Sequence, residues 1–514
     1  MDSREAGFPK YMVYCGLLSA LTSLSIGYVI GAPNVPETAI RGINGACGPY
    51  PYTIVNGFPN CFYFADLLWG FAVGSFCLGA LAGGLAGGTI QNMIGRRKSM
   101  FYSNIIFIIG SLLLGFTYHQ AQFIVGRIVI GLACGLGGVV APTYLGEVST
   151  IKGRGSMGTL YQLLIVVGIL ISNLIGLGLS TPPLWRVLLS LNAIPAMIQM
   201  FLLPTLVESP RWLVSKNRIP EARKALQKLR GEFNIDHEFE DIVQLILGRH
   251  TAGPTSTTRV TTAVGDSAFE ESTLKVDPEV ADTVVTTTEV TSGSSAPQGY
   301  SILRLFKSEC RSLAVIGILM HFFQQASGIN GLIYYSTSFL GDVFGAGNSK
   351  YITVGQSICN FLATIASVLL VDRTGRRTLL LISLGGLTFS CILLVIGAYV
   401  DVGILVVVAV FLYTAFFAIG LGPIPWLLLS ELLPTYALSP ASAVATAVNW
   451  GTNFVVGLVF PSLNAGLGNA TFVLFGAFCA LGFVYTLIFV PETRARSIED
   501  IMAEKGVAPR TDYL

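Results

Sequence analysis

IGRRKSM, residues 94–100, returns as TGRRTLL at 374–380, an offset of 280 positions. Two acidic signatures repeat at almost the same distance. GEVS carries its acid at Glu147 and SELL at Glu431; ESPRW begins at Glu208 and PETRA carries Glu492; both offsets are 284. Three motifs in one order at nearly one spacing divide the chain into two like halves. The sequence around them is oily. Of its 514 residues 52% are hydrophobic and only 12% charged, and the mean hydropathy is +0.67. A soluble domain carries about twice that charge. Apolar runs of about 20 residues recur throughout, each long enough to cross a ~30 Å hydrocarbon core.

The chain is therefore expected to be an all-α membrane protein with twelve transmembrane helices in two pseudo-symmetric six-helix halves. The spans fall at 11–32, 64–88, 100–117, 122–142, 158–179, 185–204, 313–340, 351–371, 378–399, 403–429, 439–463 and 470–490. The first run reads as a retained span, because Met1–Lys10 is short and mixed in charge. The N-terminal half is then 11–204 and the C-terminal half 313–490, with 1–10 and 491–514 as tails. Arg96, Arg97, Lys98, Lys152, Arg154, Arg373, Arg376 and Arg377 share one side with both tails and with 205–312. The other side has chiefly Arg41, Arg127, Arg186 and Lys350. The basic side is expected to be cytoplasmic. Parallel halves with a site at their interface near mid-membrane are a transporter design.

Between the halves, Glu208–Arg230 is charged and helix-prone, with Ala222, Ala225, Leu226 and Leu229 at helical spacing and a Gly stop at 231. It reads as short cytoplasmic helices. Residues 250–299 are rich in Thr, Ser and Val and read as a disordered tether, with phosphorylation as the alternative. Cys47 and Cys61 share the first outer loop. An oxidising outer face permits a disulfide there; two free thiols are the alternative. The other cysteines fill space in spans. The sequon Asn469–Thr471 sits in a loop too short to favour glycosylation.

The polar residues inside the spans carry the functional signal. Those singled out are Gln162, Gln324, Gln325, Asn330, Asn360, Asn449 and Asn453, and very few carboxylates or basic groups sit in mid-span beside them. Buried polar groups in a membrane face the bundle interior. A neutral ligand rich in hydroxyls needs both donors and acceptors, and an amide offers both. Trp426 and Trp450 add flat apolar faces suited to a sugar ring. Amides also join neighbouring helices, at about 1 kcal/mol each; so many over-provide for that, which favours a polyol site. GPIPW, 422–426, puts two prolines in a span and so predicts a break there. The acids at the cytoplasmic ends match the GRR clusters and predict a latch that joins the halves in one state and opens in the other. The run Gly79–Gly88 is expected to permit close helix packing.

These residues resemble the sugar porter family of the major facilitator superfamily, and within it the facilitative glucose (hexose) transporters. The stretches that carry the resemblance are GRRKSM, GRIVIGLACG, YLGEVS, GTLYQLLIVVGIL, ESPRWL, QQASGINGLIYYSTS, DRTGRR, GPIPWLLLSEL, NWGTNF and PET. The resemblance implies the major facilitator fold, with a sugar held by Gln162, Gln324, Gln325, Asn330, Asn360, Trp426 and Asn453, and Asn449 nearby. It implies an outer gate at Tyr334 and Tyr335. It implies a cytoplasmic salt-bridge network of Arg96, Arg97, Glu147, Arg154, Glu208, Arg211, Arg376, Arg377 and Glu431. Four positions depart from the pattern. Val29 stands where proton-coupled relatives have an aspartate, which favours facilitated diffusion. Ala418 replaces a sugar-bonding glutamate, and Ala326 replaces the leucine of the glucose-type signature; both bear on selectivity. Leu438 replaces an arginine of the second-half latch.

The expectation is a hexose uniporter moving glucose, with fructose as a co-substrate, in the plasma membrane. A proton-coupled sugar or polyol symporter is the first alternative; it needs a buried titratable group, and the evident candidate, Asp66 near the outer end of the second span, reads as an interfacial residue. His321 is expected to pack or line the cavity rather than carry protons. A non-transporting sugar sensor is the second alternative. An enzyme is the least favoured reading, since the sequence shows no nucleophile–base pair, metal cluster or phosphate loop. No cofactor and no metal is expected. The partners are a monosaccharide and the lipid bilayer, with no nucleic acid and no obligate protein partner.

Overall fold

The computed structural model describes residues 7–43, 47, 54–55, 57–150, 152–251, 302–307, 309–494, 496 and 498–504. Among these, twelve helices are long and apolar enough to cross a membrane. Spans 1 to 6 are Lys10–Gly31, Asp66–Ile94, Arg96–Gly115, Gln120–Val148, Gly155–Leu179 and Trp185–Thr205. Spans 7 to 12 are Arg311–Gly341, Gly347–Val371, Arg376–Tyr399, Gly403–Leu432, Pro440–Leu467 and Thr471–Phe489. The expected count holds; the ends differ because charged and polar residues continue several helices past their apolar runs. The tether reading for 250–299 and the ends of both tails lie almost wholly outside the described residues.

The sequence repeat is a structural repeat at atomic detail. Gly95 and Gly375 both take φ values only glycine adopts freely, +93° and +97°. Each hands the chain from one span into the next within a turn. The Glu208 carboxylate then accepts from the backbone N–H of Arg96 at 2.9 Å, and Glu492 accepts from that of Arg376 at 2.8 Å. Each acid thus caps the positive end of a helix with a charge of the favoured sign. Burial pushes the Glu208 carboxyl up, and the N–H groups of Ser209, Arg97 and Arg96 oppose the shift. Between the halves, Pro210–Ser215 and Ile219–Arg230 are helices as expected, the second burying Ala222, Ala225, Leu226 and Leu229 and stopping at Gly231 with φ +68°. Asp236–Thr251 forms a further helix.

Spans 2 and 4 pack closely because glycines interleave. A Cβ on Gly79 would overlap the Ile128 carbonyl, and one on Gly131 the Phe76 carbonyl. Small residues give membrane helices this approach where no hydrophobic effect drives them together. At the opposite end from the arginine clusters, Cys47 and Cys61 form a disulfide with Cα atoms 6.3 Å apart. The two ends are called the arginine end and the disulfide end below.

Two of the four cations counted toward the outer side do not face solvent. Arg127 lies in span 4, buried, and donates to the carbonyls of Val29 at 3.0 Å and Val73 at 2.8 Å. Its ring partner is Phe76, with the guanidinium carbon 4.7 Å from the centroid. Arg186 is also buried, stacked on Trp185 and donating to Pro59 O. Asp66 opens span 2 half-exposed and pairs with Arg41 at 2.6 Å. Among the described residues a buried carboxylate is found at Glu37, 2% exposed, on the short helix Glu37–Arg41.

Candidate functional site

Span 7 breaks at its polar run. Its first helix ends at Ala326, and Gly328 takes φ +88° before the chain resumes as a helix at Ile329. Gln324 and Gln325 end one segment and Asn330 begins the next. Span 10 breaks as well. Phe417–Leu421 is a π-turn and Ile424–Leu432 a separate helix. Pro423 and Pro425 have no N–H to give, so carbonyls four residues earlier lose their helical donor. Side chains of other spans replace it. Ser367 of span 8 donates to Ile419 O at 2.9 Å, and Gln324 Nε2 donates to Leu421 O at 2.9 Å and Gly422 O at 2.6 Å.

The amides of spans 7 and 11 form one chain of hydrogen bonds. Asn449 Nδ2 donates to Gln324 Oε1 at 2.6 Å, Gln325 Nε2 donates to Asn449 Oδ1 at 3.0 Å, and Asn330 Nδ2 donates to Gln325 Oε1. Tyr334 donates to Asn453 Oδ1 at 2.8 Å. A count of capacity separates their roles. Both N–H groups of Gln324 are spent on backbone carbonyls, so this residue serves the span 10 break first. Gln325 keeps one N–H, Asn330 its carbonyl oxygen, and Asn453 both N–H groups. Asn360 is 8% exposed and Gln162 half-buried, and neither side-chain amide bonds to another group among the described residues. Trp426 is 46% exposed, with its ring edge-on to His321 at 4.6 Å. His321 Nδ1–H donates to Gly317 O at 2.9 Å. Val29, Ala326 and Ala418 are buried.

The halves are tied together at the disulfide end. Asn34 donates to Ser336 Oγ at 2.8 Å and accepts from the Thr337 N–H at 3.1 Å. Asn173 donates to Ser357 Oγ at 2.8 Å, and Lys350 to Ser180 Oγ at 2.7 Å. Tyr334 and Tyr335 are buried beneath these ties, and Tyr335 donates to Gly457 O at 2.8 Å. Asn34, Asn173 and Lys350 escaped the sequence reading, because an amide at a span end or a loop lysine looks solvated until its partner from the other half is known.

Two charge pairs of the arginine end each run within one half, and with the disulfide end tied shut this is the conformation in which a latch between the halves is expected to be open. Arg96 grips Glu147 with both Nε and Nη2 at 2.8 Å, and Arg376 meets Glu431 at 3.1 Å. Arg97 donates to Leu206 O at 3.0 Å and Arg377 to Leu487 O at 2.7 Å. Where Leu438 supplies no cation, Thr493 donates its hydroxyl to Glu431 at 2.5 Å. Arg154 opens the helix of span 5 and Arg211 lies in Pro210–Ser215.

Two bundles of six helices, with a mid-membrane line of amides between broken helices and mirrored charge clusters at one end, define a solute transporter of the major facilitator fold. The chain belongs to the sugar transporter family: the family model described as "Sugar (and other) transporter" matches residues 15–270 and 265–504. It is a transporter and not an enzyme. Solute carrier family 2, facilitated glucose transporter member 3 of Oryctolagus cuniculus is 34% identical over 98% of this chain and 94% of that protein. The Homo sapiens protein of the same name is 32% identical over 95% and 91%. The partially occluded inward-open structure of the xylose transporter XylE from E. coli superposes with a TM-score of 0.72, at 23% identity, over 95% of this chain and all of that one. XylE described as a proton:xylose symporter bound to 6-bromo-6-deoxy-D-glucose gives 0.71 at 24% identity, over 96% and 99%.

Proposed function

We propose that this protein is a hexose uniporter that carries glucose, and fructose beside it, down their gradients by alternating access. Spare donors and acceptors on Gln325, Asn330, Asn360, Asn453 and Gln162 are the observation that carries the reading. They are neutral, they face the interface of the halves, and they match the hydroxyls of a sugar rather than an ion. Val29 offers no carboxyl to bind a coupling proton, which supports facilitated movement. The arginine end is cytoplasmic together with both termini, and the plasma membrane is the site of action. In this conformation the outer end is shut by Tyr334, Tyr335 and the ties from Asn34 and Asn173. Opening it requires those inter-half bonds to exchange for water, each a small cost in a wet cavity. The Arg96–Glu147 and Arg376–Glu431 pairs hold each half rigid as it rocks.

Counterflow of labelled glucose and fructose in liposomes, with and without an imposed proton gradient, tests this. Exchange that equilibrates and ignores the gradient is expected. Accumulation of sugar above its outside concentration only with the gradient refutes the uniporter reading.

A further inference from the structure

Span 8 turns a second amide toward the interface of the halves. Gln356 lies four residues before Asn360, one helical turn nearer the disulfide end on the same face. Both line a cavity of about 10 Å³ closed from the other half by Asn34 and Asn173. The neighbouring polar groups are engaged: Asn34 with Ser336 and Thr337, Asn173 Nδ2 with Ser357, and Ser357 with Thr353 O at 3.0 Å. Gln356 is not. It is 4% exposed, its Oε1 is buried without a partner, and its amide makes no hydrogen bond among the described residues. Asn173 Oδ1, across the cavity, is also unpartnered.

A buried amide left unpaired is costly, and a leucine of similar size would be cheaper at this position. An amide that joined helices would bond to the facing helix, as Asn173 does to Ser357. Gln356 instead points at the place that a ligand held by Asn360 would reach one turn further out. We propose that Gln356 is a specificity-determining residue of the transport site, accepting one hydroxyl of the bound sugar at the end of the ring that faces outward. Asn173, tied to Ser357, brings the first half over the same end and presents its carbonyl oxygen to the sugar. The proposal rests on the reading above that Asn360 and Gln325 belong to the sugar path.

The test uses Gln356→Leu and, should that variant not fold, the unbranched Gln356→Met. Both are reconstituted and compared with wild type for KM and maximal counterflow over glucose and its monodeoxy analogues. Thermal unfolding is read in parallel. A site built to bond a hydroxyl penalises the analogue that lacks it, here by about 10-fold in KM at one position of the ring. In the variants that single ratio is expected to fall to about 1, while ratios at other positions persist and thermal stability holds or rises. If every ratio persists in the variants, or if stability falls with all ratios intact, Gln356 is structural and the proposal fails. Gln325→Ala separates this from failure of the site. Should wild type exchange none of these sugars, or Gln325→Ala keep wild-type KM, the sugar path itself is wrong and Gln356 falls with it.

Discussion

Replacing Gln324 by leucine should damage stability more than replacing Gln325, although the two are adjacent and chemically identical. The structure gives the size of the difference. Gln324→Leu strips donors from Leu421 O and Gly422 O, held at 2.9 and 2.6 Å, and an acceptor from Asn449 Nδ2, held at 2.6 Å. Three bonds at the membrane-protein average of about 0.6 kcal/mol give a loss of about 2 kcal/mol. Leu421 O lies four residues before Pro425, which offers no N–H, so it finds no helical donor nearby. If the two carbonyls stay dry the loss rises to about 3 kcal/mol or more. Gln325→Leu strips only side-chain groups, Asn449 Oδ1 and Asn330 Nδ2, for about 1 kcal/mol. Thermal unfolding of the detergent-solubilised variants reads the difference, and counterflow of glucose reads the function. The expected result is a lower melting temperature for Gln324→Leu, and for Gln325→Leu a near-native one with KM raised about 10-fold. Equal melting temperatures for the two variants would refute the assignment of Gln324 to the span 10 break.

Three further outcomes are expected. Burial pushes the Glu37 carboxyl up from 4.5 to about 7, with Arg41 opposing and Asp66 adding to the shift; closure of the outer end is therefore favoured fully below the hydrated value and loses that support as pH rises through 7. Counterflow in wild type should vary with pH across this window and flatten in Glu37→Gln; a pH profile unchanged by the substitution would show that Glu37 does not titrate with closure. Glu147→Ala should cost about 3 kcal/mol because it abandons Arg96, 8% exposed. Glu431→Ala should cost nearer 1 kcal/mol, since that carboxylate is 27% exposed; comparable losses in thermal unfolding would count against unequal burial as the cause. Cys47→Ser opens a loop of sequence separation 14, worth about 3 kcal/mol in the chain-entropy account, and a reductant should lower the melting temperature of wild type but not of the variant.

Residue patterns carried much of this molecule. The offset of 280 between the two GRR motifs returns as matched glycine turns and matched acid caps, since a motif that ends one helix and starts the next is local. GPIPW foretold the break in span 10, because proline acts on its own backbone; the break at Gly328 in span 7 has the same local cause. The amides were legible as a set, being costly in lipid wherever they point.

Which partner each amide takes was not legible. Gln324 and Gln325 differ in bonding because the carbonyls of span 10 lie beside one and the amides of spans 7 and 11 beside the other, and only packing decides that. Arg127 was counted toward the outer side, because a single arginine near the end of an apolar run does not show what it bonds to. Its place inside follows from the carbonyls of spans 1 and 2 and the ring of Phe76, which no sequence window contains. Glu37 was passed over for the same reason: its burial comes from elements that fold over it. Sequence by itself determined the number of spans, their symmetry and the chemistry offered at mid-membrane, since lipid imposes those on each helix separately. Tertiary structure alone decided which of those groups satisfy the protein and which remain to face a solute, because hydrogen-bond capacity is spent between helices far apart in the chain.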